Sequence, residues 1–241
     1  LTAEQGASVS TAFLTAIYGL QTLAALQPGE TVLIHAAAGG VGQAALQVAR
    51  RCGARVLATA SAAKQPLLLE QGVEAVFDSR SLDFAEQVRA ATDGRGVAVV
   101  LNSLKGPWVE ASFQALAAGG RFVELGKIDI WSREEAARRR PDARYLPFDL
   151  LEVAAAEPAL VRGLLQDLLT DLAGGTYQLI PVETFPIARS EEAFRLMAQA
   201  RHRGKVVISQ GERPQPWRVA VGGTPGGGAP VGSTTAGGTV L

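Results

Sequence analysis

Short apolar runs alternate with stretches of helical periodicity along most of this chain. An apolar face that includes Phe13 and Leu20 predicts a first helix over about residues 8–26. Five strands follow, with a helical stretch between each strand and the next. The predicted strands span residues 31–35, 55–60, 75–77, 97–101 and 121–125. The first helix between them spans about residues 40–51, the second runs through 67–69, the third begins at 83 and the fourth spans about 109–116. Apolar strands separated by helices are typical of an α/β fold with a doubly wound parallel sheet.

Further elements are predicted beyond residue 150. Leucines and valines at helical spacing predict a helix over 158–172, followed by a mixed segment over 179–187, a helix over 191–200 and a last strand over 205–208. Residues 211–241 differ in composition, because they hold nine glycines, four prolines and only three charged residues. Such a stretch cannot bury enough apolar surface to offset the entropy lost on ordering, so it predicts a linker.

Charge and composition narrow the function classes. The chain carries 23 basic and 23 acidic residues, which removes the electrostatic argument for binding nucleic acid or an anionic membrane surface. No apolar run is long enough to span a membrane, and a single cysteine, Cys52, fits a reducing, cytoplasmic location. With only two histidines besides, no cluster has metal-ligand spacing, and we expect no metal site.

Glycine is enriched, with 27 residues, and some of these lie where the first predicted strand meets the next helix. Ala37, Gly39 and Gly42 form an A-x-G-x-x-G pattern in the strand–turn–helix context of a dinucleotide-binding turn. Gly39 would let the backbone approach a pyrophosphate, and Gly42 would let the helix pack closely on the strand. The candidate pyrophosphate site consists of Ala38, Gly39, Gly40, Val41 and Gly42. Because Ala37 replaces the first glycine of the strict pattern, a turn that serves only packing is the alternative.

The end of the second predicted strand indicates which nicotinamide cofactor fits. NAD-binding chains carry an acidic residue about 20 positions after the glycine turn, whereas residues 58–64 include none. Ser61 and Lys64 can instead hold a 2′-phosphate by hydrogen bond and charge, and Arg80 after the third strand can supply a second cation. We therefore predict NADPH; the alternative is that Lys64 and Arg80 are ordinary surface residues.

Four motifs occur in order along residues 1–210. They are His35-Ala-Ala-Ala-Gly-Gly-Val-Gly42, Val100-Leu-Asn-Ser-Leu104, Gly119-Gly-Arg-Phe-Val-Glu-Leu-Gly-Lys127 and Ala200-Arg-His-Arg-Gly-Lys-Val-Val207. Together they resemble the enoylreductase domain of modular polyketide synthases, in the zinc-free branch of the medium-chain dehydrogenase/reductase superfamily. The resemblance implies a Rossmann-type NADPH-binding subdomain over 1–178, a segment over 179–210 that returns to a GroES-like substrate subdomain, and an interdomain linker over 211–241.

The resemblance also implies a reaction and its partners. The reaction is NADPH-dependent reduction of a trans-2-enoyl thioester that an acyl carrier protein holds on its phosphopantetheine arm, beside a ketoreductase and other synthase domains. Hydride goes to the β-carbon and a proton to the α-carbon. This chemistry needs a held nicotinamide, stabilisation of the enolate oxygen and a proton donor.

Two catalytic residues follow from the resemblance. Lys127, after the fifth strand, is similar to the family's proton donor, and Asp149 is similar to the acid that orients it. An Asp at a helix start is also a candidate N-cap, and the two roles can coexist. Asp129 is a weaker alternative partner for Lys127.

Four further positions resemble residues that border the nicotinamide in the family. Asn102 and Ser103 lie just beyond the fourth predicted strand, Thr15 lies on the first helix, and Lys205 opens the last strand. For each of them the alternative is structural, as part of a turn, a helix surface or a strand entry. His35 is expected to serve the fold.

One departure from the family bears on the functional prediction. Family members begin with a substrate-binding subdomain, whereas this chain starts at the helix that enters the nucleotide-binding half. We therefore expect the chain to be the cofactor-binding part of the reductase. Three alternatives stay open: a free-standing quinone or enoyl-CoA reductase, a non-catalytic structural domain, and a cyclopropane-forming variant of the same fold.

Overall fold

A computed structural model describes residues 1–211 and contains a six-stranded parallel sheet, the main sheet. Its strands are β1 (Thr31–Ile34), β2 (Arg55–Ala60), β3 (Ala75–Asp78), β4 (Val97–Asn102), β5 (Leu116–Glu124) and β6 (Arg144–Pro147). Their order across the sheet is β3-β2-β1-β4-β5-β6. The strand order reverses between β1 and β4, and ligands of such sheets bind outside the strand ends at this point.

Helices cover both faces of the main sheet. They are α1 (Ala3–Ile17), α2 (Gly40–Arg51), α3 (Gln65–Glu70), α4 (Phe84–Ala91), α5 (Pro107–Ala115), α6 (Arg133–Arg139), α7 (Leu150–Ala156), α8 (Pro158–Ala173) and α9 (Ser190–Ala198). Val32 and Ile34 belong to the apolar cluster under α1, α2 and α8, while Leu33 between them belongs to the cluster under α4 and α5. Because β1 is buried on both faces, the prediction of a doubly wound α/β fold is confirmed.

The elements agree with most of the predicted ones and differ at three places. The five predicted strands are present, and β2 and α2 have the predicted bounds. The first helix begins earlier than predicted because Thr2 and Gln5 form a capping box, and after Ile17 it widens into a π-helix over Tyr18–Leu23. β6, α6 and α7 were not predicted, because each is short and Ala136 is the one buried residue among them, so no buried face marks them in the sequence.

Two strands near the end of the described chain form a separate parallel pair, β7 (Val182–Pro186) and β8 (Lys205–Ser209). Gly204, just before β8, donates its N–H to Ala38 O at 2.9 Å and forms a β-bridge with Gly39. This contact places the start of β8 against the glycine turn after β1. Of the linker predicted over 211–241, all but Gly211 lies outside the described residues.

His35, directly after β1, is buried and fully hydrogen-bonded. Its Nδ1 lies 2.9 Å from Thr59 Oγ1 and its Nε2 lies 2.8 Å from Ser112 Oγ. Ser112 donates its only hydroxyl hydrogen to Trp108 O, so it must accept from His35, which assigns the imidazole proton to Nε2. Burial lowers the pKa of His35 to about 3 and keeps the ring neutral. His35 therefore joins β1 to β2 and α5 and serves the fold.

Gly42 leaves no room for a side chain. A Cβ atom there would lie 2.5 Å from Ala37 Cα and 2.6 Å from Ala36 O, both of them backbone atoms. We expect Gly42→Ala to lower the free energy of unfolding by about 1–3 kcal/mol, the usual cost of overpacking. Urea denaturation followed by circular dichroism measures this change.

Gly6→Ala in α1 is the matched control, because a Cβ atom there would meet nothing within 4 Å. Since alanine is a better helix former than glycine, this variant is expected to gain roughly 0.5–1 kcal/mol. Wild-type stability of Gly42→Ala would contradict close packing of α2 on the turn.

Candidate active site

The predicted site residues gather at the carboxyl edge of the main sheet. The glycine turn follows β1, Ser61 follows β2, Asn102 ends β4, Lys127 follows β5 and Asp149 follows β6. Since all six strands are parallel, their carboxyl ends lie along the same edge. The loops from different strands therefore border one crevice.

The glycine turn has the form that holds a pyrophosphate. Gly39 is the extended N-cap of α2, and helix geometry leaves the N–H groups of Gly40, Val41 and Gly42 without partners inside the helix. These N–H groups and the dipole of α2 favour an anion at the turn. The residues present therefore fit a dinucleotide.

Lys205 covers one side of this turn. A Cβ atom on Gly40 would lie 2.3 Å from Lys205 Cδ, so the lysine side chain runs across Gly40. The Lys205 N–H donates to Pro181 O at 2.9 Å and fixes the backbone at the start of β8. Lys205 thus lies at the predicted pyrophosphate site, and its contact with the nicotinamide stays a prediction.

The three residues predicted for a 2′-phosphate lie on neighbouring turns. Ser61 and Lys64 belong to the 3₁₀ turn after β2. The Ser79 N–H donates to Ala60 O at 3.1 Å, which holds the turn that carries Arg80 beside them. Among residues 1–211, Arg80 has no acidic side chain within ion-pair distance of its guanidinium. Arg80 can therefore offer its charge to an anion.

Lys64 has a second role that its sequence context did not indicate. Its Nζ donates to Ala200 O at 2.8 Å and to His202 O at 2.6 Å. Partial burial and the nearby Arg203 lower the pKa of Lys64. Lys64 thus joins the β2 turn to the loop before β8, and its contact with a phosphate stays a prediction.

Lys127 and Asp149 form an ion pair across 22 residues of sequence. Asp149 Oδ2 accepts from Lys127 Nζ, while Oδ1 accepts from the Leu151 N–H at 2.9 Å and caps α7. These hydrogen bonds lower the pKa of Asp149. Asp149 is therefore an N-cap and a partner of Lys127 at once. The Lys127 side chain is 61% exposed, so its ammonium can meet a ligand.

Asp129, the alternative partner of Lys127, lies against the loop before α5 instead. Its carbonyl oxygen accepts from the Gly106 N–H at 2.9 Å. A Cβ atom on Gly106 would lie 2.9 Å from Asp129 Oδ2, so the carboxylate also packs there. Among the described residues, the acid that pairs with Lys127 is Asp149.

Asn102 differs from its predicted placement. It is the last residue of β4, not a residue beyond it, and its side chain is fully buried. Nδ2 donates to Glu124 Oε2 at 2.8 Å and to Leu104 O at 3.0 Å, and Oδ1 accepts from the Leu104 N–H at 3.2 Å. Both amide hydrogens are therefore used inside the protein, and the contact of Asn102 with the nicotinamide ribose stays a prediction. Ser103, the next residue, is exposed.

Glu124 is a buried acid at this edge that the sequence reasoning missed. It ends β5, and its Oε1 accepts from the Gly126 N–H at 2.7 Å. Burial raises the pKa of Glu124 to about 7. The signal was an acidic residue that closes an otherwise apolar strand at the carboxyl edge.

Apolar side chains lie beside the ion pair, together with the charged Arg133, Glu152 and Glu157. A cleft of about 320 Å³ beside Asp149 is lined in part by Tyr18, Leu23, Phe148 and Val153. Ile128, next to Lys127 in sequence, and Leu151, whose N–H bonds to Asp149, are each 73% exposed. Thr15, three residues before Tyr18 on α1, is 8% exposed, and its predicted contact with the nicotinamide stays a prediction.

Metal-binding clusters and membrane-spanning helices are both absent from residues 1–211. No three His, Cys, Asp or Glu side chains there are grouped to hold a metal ion. No helix in this part of the chain combines the length and apolar character needed to cross a membrane.

Residues 71–208 match the family described as zinc-binding dehydrogenase. The chain is 46% identical over 207 residues to a phenolphthiocerol synthesis polyketide synthase type I of Mycobacterium marinum. The match covers 85% of this chain and 10% of that protein, so the chain spans about a tenth of the length of this relative.

Two solved structures are similar to this chain. The nucleotide-binding subdomain of the enoylreductase domain of PpsC from Mycobacterium tuberculosis is 44% identical with a TM-score of 0.66, covering 71% of this chain and 98% of that one. The CurF ER cyclopropanase of the curacin A biosynthetic pathway is 42% identical with a TM-score of 0.83, covering 87% of this chain and 63% of that one.

The similarities agree with the geometry of the site. The glycine turn, the strand order and the likeness to a nucleotide-binding subdomain indicate a nicotinamide cofactor. The relatives are multidomain synthases, which favours a synthase domain over a free-standing reductase. The chain belongs to the enoyl reductase domains of polyketide synthases, oxidoreductases of the medium-chain dehydrogenase/reductase superfamily.

Proposed function

We propose that this chain binds NADPH and takes part in reducing a trans-2-enoyl thioester held on the phosphopantetheine arm of an acyl carrier protein. The observation that carries the proposal is the Lys127–Asp149 ion pair, which lies at the same sheet edge as the glycine turn. An exposed cation beside a nucleotide site meets the demand for a proton donor or an enolate-stabilising group.

The residues that would hold the cofactor divide into two groups. The first-turn N–H groups of α2 would bind the pyrophosphate, and Ser61, Lys64 and Arg80 would bind the 2′-phosphate. Bound NADPH would supply the hydride for the β-carbon of the enoyl group. The residues of the chain itself would then bind the acyl group and donate the proton.

Lys127 can assist the reaction in two ways. Its ammonium can donate a proton to the α-carbon, or it can hydrogen-bond to the thioester oxygen while negative charge develops there. Asp149 holds the ammonium in place with one carboxylate oxygen, and the cap to Leu151 fixes that carboxylate. Asp149 is therefore a positioning residue for Lys127.

The surroundings of the ion pair suit an acyl chain. The exposed Ile128 and Leu151 offer contacts to methylene groups, as do the apolar residues among those that line the cleft beside Asp149. Because the relatives are multidomain synthases, the carrier protein, a ketoreductase and the rest of the substrate subdomain are proposed as partners.

Ring closure is the second candidate, favoured by the likeness to the CurF cyclopropanase. Both reactions begin with hydride at the β-carbon and negative charge at the α-carbon. In reduction the α-carbon takes a proton, whereas in ring closure it displaces a leaving group on the γ-carbon. Turnover in D₂O followed by mass spectrometry separates them, because only reduction places solvent deuterium at the α-carbon.

NADPH is expected to bind this chain at least about tenfold more tightly than NADH, since a charge-assisted hydrogen bond to a phosphate contributes about 1.5–3 kcal/mol. Arg80→Ala is expected to remove most of this preference by weakening NADPH binding while NADH binding is unchanged. Calorimetric titration with each cofactor measures both constants.

The control for this test is Arg144→Ala, at the opposite end of the main sheet, where the preference should stay at its wild-type value. Equal affinity of the wild-type chain for NADPH and NADH would refute the 2′-phosphate site.

Lys127→Ala is expected to slow turnover about 10²-fold, the lower range for loss of a general acid, with an unchanged Kd for NADPH. Asp149→Asn should also slow turnover yet keep wild-type stability, because Asn caps a helix as well as Asp does. NADPH consumption with an enoyl thioester, measured in the synthase module that contains this chain, tests both variants.

Lys105→Ala, an exposed lysine in the loop after β4, serves as the matched control for Lys127. A wild-type rate for Lys127→Ala would remove Lys127 from the mechanism. A stability loss in Asp149→Asn equal to that in Asp149→Ala would show that the charge of Asp149, and not its cap, holds α7.

A further inference from the structure

We propose that Glu124 is a positioning residue for the nicotinamide end of the cofactor site, because its carboxylate fixes the two loops that carry Ser103 and Lys127. The proposal rests on the proposed function, since it assumes that a nicotinamide binds at this edge. It assigns a role to a buried acid that does not take part in the Lys127–Asp149 pair.

Glu124 and Asn102 form one buried polar unit at the carboxyl edge. They are direct register partners of the parallel strands β5 and β4, and neither is accessible to solvent. Asn102 Nδ2 donates to Glu124 Oε2 at 2.8 Å. Among residues 1–211, no Lys, Arg or His lies within ion-pair distance of Glu124, so hydrogen bonds alone compensate its burial.

The remaining hydrogen bonds of this unit run to the two loops. Glu124 Oε1 accepts from the Gly126 N–H at 2.7 Å, directly before Lys127. Asn102 makes two bonds to the backbone of Leu104, directly after Ser103. The unit thus sets both loops relative to the strand ends, and through them relative to each other.

The loop after β5 fits tightly around the carboxylate. A Cβ atom on Gly126 would lie 2.9 Å from Glu124 Oε1 and 2.9 Å from Ile130 Cγ2. The Asn102 carbonyl also accepts from the Leu125 N–H at 2.9 Å, which continues the β4–β5 ladder into the loop. Movement of the carboxylate would therefore move the backbone that carries Lys127.

Joining two strands through a buried carboxylate carries a large free-energy cost of desolvation. An apolar pair at these positions would bury surface without the desolvation cost of a charge. The geometry gives the acid a use for both oxygens, because Oε2 accepts from Asn102 Nδ2 while Oε1 accepts from the Gly126 N–H.

Glu124→Gln separates positioning from general stability. If the Gln oxygen accepts from Gly126, its NH₂ group meets the NH₂ group of Asn102, and the donors repel. We expect NADPH binding by the chain to weaken about tenfold, as for one lost hydrogen bond to a charged group. Adenosine 2′,5′-bisphosphate, which has no nicotinamide, should bind within about twofold of its wild-type affinity.

Two further variants complete the test. In Asn102→Asp with Glu124→Gln, the donor and acceptor of the pair exchange places and the Gly126 bond is kept. Leu104 O loses its donor, so NADPH affinity should recover only in part from the loss in Glu124→Gln. Glu110→Gln, an exposed acid on α5, is the matched control and should bind both ligands as wild type does. The fluorescence of bound NADPH reports the surroundings of the nicotinamide in each protein.

The outcomes are distinct. Unchanged NADPH affinity and fluorescence in Glu124→Gln would overturn the role of Glu124, as would an equal loss of NADPH and bisphosphate binding. A wild-type chain that binds neither NADPH nor the bisphosphate would overturn the proposed cofactor, and this assignment with it. Recovery in the double variant supports positioning over a purely structural effect, because exchange of the pair restores the Gly126 loop.

Discussion

The parallel alignment of all six strands is the constraint on which the site depends. Because of it, the carboxyl ends of all six strands lie at one edge of the main sheet. The glycine turn, the Asn102–Glu124 unit and the Lys127–Asp149 pair lie at this edge. The strand order reverses between β1 and β4, so the helices that follow these two strands lie on opposite faces of the main sheet. A crevice opens between them, and the amino end of α2 faces it.

The two acids at this edge show how environment divides their roles. Asp149 shares its carboxylate between a lysine and a helix cap, and these donors lower its pKa, so it stays ionised. Glu124 is enclosed by β4, β5 and their loops, and burial raises its pKa to about 7. Burial and the charge of Glu124 likewise raise the pKa of Tyr145 on β6. Asp149 therefore holds an exposed ammonium, while Glu124 holds the backbone of the loop after β5.

The sequence predicts the elements that a clear apolar run or face marks and misses those without one. β2 has the predicted bounds because five of its six residues form a buried run, and α2 has them because it lies between Gly39 and Gly53. β6 is an edge strand whose residues are all partly or fully exposed, so no apolar run distinguishes it. The Lys127–Asp149 contact spans 22 residues, and no periodicity indicates it. It was expected through family resemblance. Glu124 was missed because a charged residue after an apolar run is usually the solvated end of a strand.

The position of Lys64 shows how the second sheet is tied to the cofactor edge. An ammonium has three N–H donors, and Lys64 uses two of them on Ala200 and His202. The third is left for an anion, so phosphate binding need not break the link to the loop before β8. That loop leads through Gly204 and Lys205 back to the glycine turn. Replacing Lys64 would therefore disturb the loop and the phosphate contact together, whereas Arg80, with no ion pair among residues 1–211, separates the two effects.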